Sequence, residues 1–182
     1  MKAIPYRRFM FASLVVTALL AAPLAAQQAR GPATPPAGVQ AALANDVGTL
    51  SDKFVGLARV MAGKYDWRPG QGVRSVGEVF NLIVTENKML VGVLTGAPAA
   101  GAAPAPITDP AQIQEALRTS YANLRQALAA LTANDLATSV KLFGQETTKQ
   151  GAAFMLLFDQ HEHLGQSIAY ARTNSIVPPW SK

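Results

Sequence analysis

Leu43-Ala44-Asn45-Asp46-Val47-Gly48-Thr49-Leu50-Ser51-Asp52-Lys53-Phe54-Val55-Gly56-Leu57-Ala58-Arg59-Val60-Met61 decides the fold class of this chain. Its large side chains of the seam fall at Leu43, Val47, Leu50, Phe54, Leu57 and Met61, spaced four, three, four, three, four. Residues so spaced share one stripe of an α-helix. The near-heptad rhythm predicts a long helix from about Val39 to Ala62 that buries one seam against other helices. No stretch of the chain alternates with period two for long enough to make a convincing strand.

Three further helices follow from the same reading. Ser75-Val76-Gly77-Glu78 is a capping box, and it opens a second helix running to about Leu94. Asp109-Pro110 places an N-cap before a proline at the first helical position, and the stripe Ile113, Leu117, Tyr121, Leu124, Leu128 and Leu131 carries a third helix onward. A fourth runs from about Thr148 to Thr173 through Phe154-Met155-Leu156-Leu157-Phe158 and ends before Pro178-Pro179. The fold class is all-α, most simply a four-helix bundle. Between the second and third helices, the Ala/Gly/Pro-rich stretch from Gly96 to Pro106 reads as an extended loop, which places the link at about residues 96–108.

The N-terminus carries a targeting signal. Lys2, Arg7 and Arg8 precede the apolar run Phe9 to Leu20, and Ala21-Ala22-Pro23-Leu24-Ala25-Ala26 leads to Gln27. This charged, apolar, small-residue order is that of a secretory signal peptide at residues 1–26, cleaved after Ala26. Pro23 and the alanine-rich exit argue against an uncleaved anchor, and a lipoprotein is excluded because no cysteine exists to carry the lipid. Arg7-Arg8 leaves the choice between general and twin-arginine export open. The expected location is periplasmic or secreted, with no membrane attachment after cleavage. Residues 27–38 read as a flexible leader, and residues 39–182 as the helical domain.

Removing Lys2, Arg7 and Arg8 reduces the formal charge of +5 to a near balance of 13 basic and 11 acidic side chains. The remaining cations are scattered singly, without the basic stripe and interleaved aromatics of a nucleic-acid binder. DNA and RNA are therefore rejected as partners. The fold also holds without disulfides, so packing alone must stabilise it.

With no cysteine and two histidines, imidazole chemistry is confined to Asp159-Gln160-His161-Glu162-His163-Leu164-Gly165-Gln166. Asp159 and His163 are four apart and share a helix face, whereas His161 and His163 point away from one another. Ser167, His163 and Asp159 could be arranged as a nucleophilic triad, but they lie on one helix with no strained turn to present the serine. Gly70-Gln71-Gly72 has no preceding strand and is not a phosphate-binding fingerprint. Trp67 and Trp180 are expected to pin the two ends of the helices.

Trp67-Arg68-Pro69 with Gly72-Val73-Arg74-Ser75-Val76-Gly77-Glu78-Val79, and later His163-Leu164-Gly165-Gln166 with Tyr170-Ala171-Arg172 and Ile176-Val177-Pro178-Pro179, resemble the start of the second helix and the end of the fourth in DinB/YfiT-like proteins. The resemblance covers about Val47 to Ser181. It implies an up-down-down-up four-helix bundle, in which the link at 96–108 is a crossover between parallel neighbours.

The resemblance also implies a metal site of three histidines, one from the second helix and two from the fourth. In this chain those positions fall at Leu82, Asp159 and His163, so the triad is degraded. Leucine cannot bind a metal, and Asn81, one residue away, is a poor ligand. Glu86 lies one turn beyond Leu82 and could complete an Asp159/His163/Glu86 set suited to iron or manganese; otherwise Glu86 and Lys88 are solvated helix residues. The apolar stripe would make His161 a core residue, while the family pattern turns His163 inward, and the family pattern is preferred.

Two functions follow as expectations. The favoured one is an exported, catalytically degenerate member with no cofactor, which binds a small ligand or a protein partner and is compatible with a homodimer. Leu82 then fills the space that the lost ligand vacates. The alternative is a metal-dependent enzyme of hydrolase or thiol-transferase type, holding zinc, nickel, iron or manganese at low occupancy through Asp159, His163 and Glu86.

Overall fold

Every member of the seam from Leu43 to Met61 is buried, and the helix that carries it, α1, spans Val39–Val60 before a 3-10 turn at Ala62–Lys64. The computed structural model of the protein describes residues 38–97 and 105–181. The expected signal peptide, the leader up to residue 37 and the centre of the link between the second and third helices lie outside the described residues.

Helix α2 spans Val76–Thr95. Its capping box is complete: the Glu78 amide donates to Ser75 Oγ, and the Ser75 amide donates to Glu78 Oε2 at 2.6 Å. Gly96 closes it in the left-handed conformation that a residue without Cβ adopts at no steric cost. Helix α3 spans Pro110–Ala129, with the Asp109 side chain accepting from the Gln112 amide and proline at the first turn. Ile113, Leu117, Tyr121, Leu124 and Leu128 face inward as expected.

A one-turn helix, α4 (Ala133–Leu136), and a hairpin follow. Strands β1 (Ser139–Leu142) and β2 (Gln145–Thr148) pair antiparallel, with Leu142 opposite Gln145. The turn between them is Phe143-Gly144, both with positive φ, the backbone of a type I′ turn. This hairpin corrects the expectation of no strand. Each strand has only four residues, too few for alternation to register, and the turn lacks the usual Asn-Gly or Asp-Gly signature. Helix α5 then runs from Lys149 to Thr173, capped by Thr148.

The fold is mostly helical. Helix α3 packs against α1 and α2, and α5 packs against both as well. Phe54 of α1 stacks on Tyr121 of α3 and meets Phe80 of α2 edge-on, which ties three helices at the centre. Tyr65 joins this group through Phe80, and its backbone carbonyl accepts from the Gly77 amide. A Cβ at residue 77 would stand 3.2 Å from that carbonyl oxygen, so glycine lets the loop lie against α2.

Trp67 packs edge-on against Tyr170, and the exposed Trp180 lies near Gly56 and Lys53. Both sit toward the end of the fold where α1 and α5 finish, so the expectation that they pin opposite ends fails. Among the described residues no helix is long and apolar enough to cross a membrane.

Candidate metal centre

Glu86, Asp159 and His163 come together between α2 and α5. One donor atom from each lies within 4.8 Å of the other two. His163 Nε2 stands 3.5 Å from Asp159 Oδ2, one helical turn away. Two ligands about 2.1 Å from a tetrahedral ion lie about 3.4 Å apart, so this pair already has the separation of a shared ligand edge.

Glu86 is the unusual member. It is 6% exposed, and its Oε2 has no hydrogen-bond partner among the described residues. Burial first, and the neighbouring Asp159 second, push its carboxyl up to about 8, while the Arg74 guanidinium pulls the other way. A carboxyl buried beside another carboxyl needs either a proton or a cation. The expectation that Glu86 is a solvated helix residue therefore fails, whereas Lys88 is exposed as that reading requires.

His163 is held in one orientation. Its Nδ1–H donates to Gln166 Oε1 at 2.9 Å, Gln166 Nε2 donates to Tyr170 Oη at 2.7 Å, and the Tyr170 hydroxyl donates to the Arg74 carbonyl at 3.1 Å. With Nδ1 engaged by Gln166, the ring turns Nε2 toward the two carboxyls. Two carboxyls and Nε2 of His163 then converge, and a divalent cation there would replace the proton that the buried Glu86 carboxyl otherwise holds. An outer chain that fixes the ring tautomer is also usual for a ligating histidine. The residues present thus fit a divalent metal.

Behind this group lies a buried polar chain. Tyr121 Oη donates to Gln160 Oε1, Gln160 Nε2 donates to Asn87 Oδ1, and Asn87 Nδ2 donates to Ser120 Oγ. Asn87 and Gln160 directly follow Glu86 and Asp159, so the chain fixes α2 and α5 next to their candidate ligands. Sequence reasoning passed over it. The signal was available as polar residues on otherwise apolar helix faces, but that pattern also fits exposed positions.

The remaining candidates separate clearly. His161 is exposed and pairs with Asp46 of α1 at 3.0 Å, so the apolar stripe misplaced it and the family pattern placed His163 correctly. Asn81 is no ligand: its side chain donates to the Ile107 carbonyl and accepts from the Ile107 amide, pinning the returning link. Both ring nitrogens of His163 face groups other than Ser167, whose buried Oγ has no partner among the described residues. That geometry gives no serine triad.

Leu82 corrects a further expectation. It is only half-buried and lines an open cleft of about 580 Å³, so it does not fill a core cavity. The cleft also takes in Arg74, Asn81, Lys88 and Ile107.

The chain belongs to the DinB superfamily, whose family model matches residues 52–167. Among solved structures it resembles a DinB-like protein from Bacillus subtilis, with a TM-score of 0.62 and 16% identity over 78% of this chain and 98% of that one. A DinB-like protein from Bacillus cereus aligns with a TM-score of 0.60 and 19% identity, over 75% of this chain and 91% of that one. At such identities the likeness concerns the fold. A search of curated proteins found no match.

Proposed function

We propose that this chain is an exported DinB-like protein whose Glu86, Asp159 and His163 hold a divalent metal ion, in place of a three-histidine site degraded at Leu82 and Asp159. The observation that carries this reading is the buried Glu86 carboxyl, its Oε2 without a hydrogen-bond partner among the described residues, facing Asp159 and an oriented His163. Two carboxylates and one imidazole favour manganese or iron over the softer preferences of a three-imidazole site. A metal held there would supply Lewis acidity, the basis of hydrolase and transferase chemistry. Within the protein, Gln166 and Tyr170 set the ring of His163, and the Asn87–Gln160 pair holds α2 against α5. The four long helices are assigned the up-down-down-up bundle path, which the pairs Asn81–Ile107 and Asn87–Ser120 support, since they follow the same order along α2 and into α3.

Export is proposed from the signal at residues 1–26. An intact mass beginning at or near Gln27 in a periplasmic extract tests it, and a full-length chain in the membrane fraction contradicts it. Metal analysis of the purified protein and of its Glu86→Gln variant tests the site. A protein that takes up no metal would return the chain to the degenerate reading, in which it binds a small ligand or partner without catalysis.

A further inference from the structure

The cleft beside the candidate metal centre has an apolar floor and a set of cationic side chains. Leu82, Val84, Pro106 and Ile107 supply apolar surface, and Arg68, Arg74 and Lys88 supply positive charge. Arg68 is already engaged, since it pairs with Glu78 at 3.2 Å and donates to the Val73 carbonyl. Among the described residues neither Arg74 nor Lys88 has a carboxylate partner.

Arg74 also connects the cleft to the metal centre. Its carbonyl accepts from Tyr170, the last link of the chain that orients His163, and its charge acts on Glu86. Along α2, Leu82 in the cleft stands one turn before Glu86 in the centre. The far wall is fixed, because Asn81 clamps both backbone groups of Ile107.

We propose that this cleft binds a small organic carboxylate with an apolar body. The carboxylate pairs with the Arg74 guanidinium, whose planar fork matches it, and Lys88 adds a second positive charge. The apolar body lies on Leu82 and Ile107. Arg74 and Lys88 beside the acidic Glu78 suit one negative charge better than a polyphosphate, and the volume suits a small molecule. That the bound molecule is a substrate rests on the metal-centre reading. Leucine at position 82 then acts as a specificity wall where a ligand to the metal would otherwise stand.

The test is an NMR titration of the purified protein with hexanoate, hexanamide and inorganic phosphate, each with EDTA and again with cobalt(II). Hexanoate should shift the amides of Asn81, Leu82, Thr85 and Ile107, and should bind about tenfold or more tightly than either comparison ligand. Arg74→Gln should weaken hexanoate about tenfold, and Lys88→Gln by less. Both side chains are exposed, so an unchanged denaturant midpoint is expected to show that each variant is folded. Equal binding of hexanamide overturns the proposal, as does an Arg74→Gln variant with unchanged affinity. Phosphate binding more tightly than hexanoate would make the cleft a plain anion site and also overturn it. Cobalt uptake without hexanoate binding removes the cleft proposal and leaves the metal centre standing. Hexanoate binding without cobalt uptake keeps the carboxylate site and removes the metal centre.

Discussion

His163 Nδ1 and Gln166 Oε1 lie 2.9 Å apart on the same face of α5, and the hydrogen bond between them decides which ring nitrogen faces Asp159 and Glu86. Gln166 is itself held by Tyr170, which is packed on Trp67 and anchored to the backbone of Arg74. The loop that precedes α2 is thereby wired to the ring on α5. Orientation of the candidate ligand is a property of the whole end of the fold and not of one side chain.

Gln166→Ala should therefore weaken metal affinity by about 10–100-fold, the usual cost of losing an outer-shell partner. Stability without metal should change little, because Gln166 is only half-buried. Titration with manganese(II), together with a denaturant midpoint in EDTA, checks both parts. Unaltered affinity would mean that the ring is held by other contacts.

The raised carboxyl of Glu86 gives a pH signature to the metal-free protein. Its ordinary value is 4.5 and its folded value about 8. Between these limits the folded protein holds a proton that the unfolded chain has released. The stability contributed is full below about pH 4.5 and is lost as pH rises through about 8. The stability difference between the unmodified protein and Glu86→Gln, measured in EDTA, should shift against the unmodified protein across that window. A difference that stays constant with pH would contradict the buried setting assigned to Glu86.

Leu82→Ala should cost well under the roughly 2–5 kcal/mol expected for a fully buried leucine such as Leu90, because Leu82 faces the open cleft. Denaturant midpoints of Leu82→Ala and Leu90→Ala, measured side by side, check this. Equal losses would place Leu82 in the core after all.

The helices were legible because their signals are local and redundant. The seam from Leu43 to Met61 speaks through spacing, the capping box at Ser75 and the Asp109-Pro110 start through end chemistry, and each survives intact. The hairpin was not legible, since Val140 and Leu142 give one alternation and Phe143 hides the turn. At the site, the i, i+4 pair Asp159 and His163 could be read from one helix. Glu86 could be named only by a turn of α2, because its burial depends on α5 lying across it. The role of Leu82 could not be read at all, for aliphatic residues wall clefts and fill cores with the same side chain.

Asn87→Ala should leave Gln160 Nε2 without its partner, at about 1–3 kcal/mol, whereas Ser120 Oγ keeps its bond to the Leu117 carbonyl. It should also loosen the register of α2 against α5 and lower metal affinity beyond what global stability explains. Metal titration at a temperature where the variant remains folded separates the two effects. Normal affinity in a destabilised variant would confine Asn87 to packing.

The central claim is most directly tested by elemental analysis of the purified protein after loading with manganese(II), iron(II) or zinc(II) and exhaustive buffer exchange. The unmodified chain should retain about one equivalent of a divalent ion, while Glu86→Gln and His163→Ala should each retain far less. Retention undiminished by either substitution, or no retention by the unmodified chain under any loading, would contradict a metal centre at Glu86, Asp159 and His163.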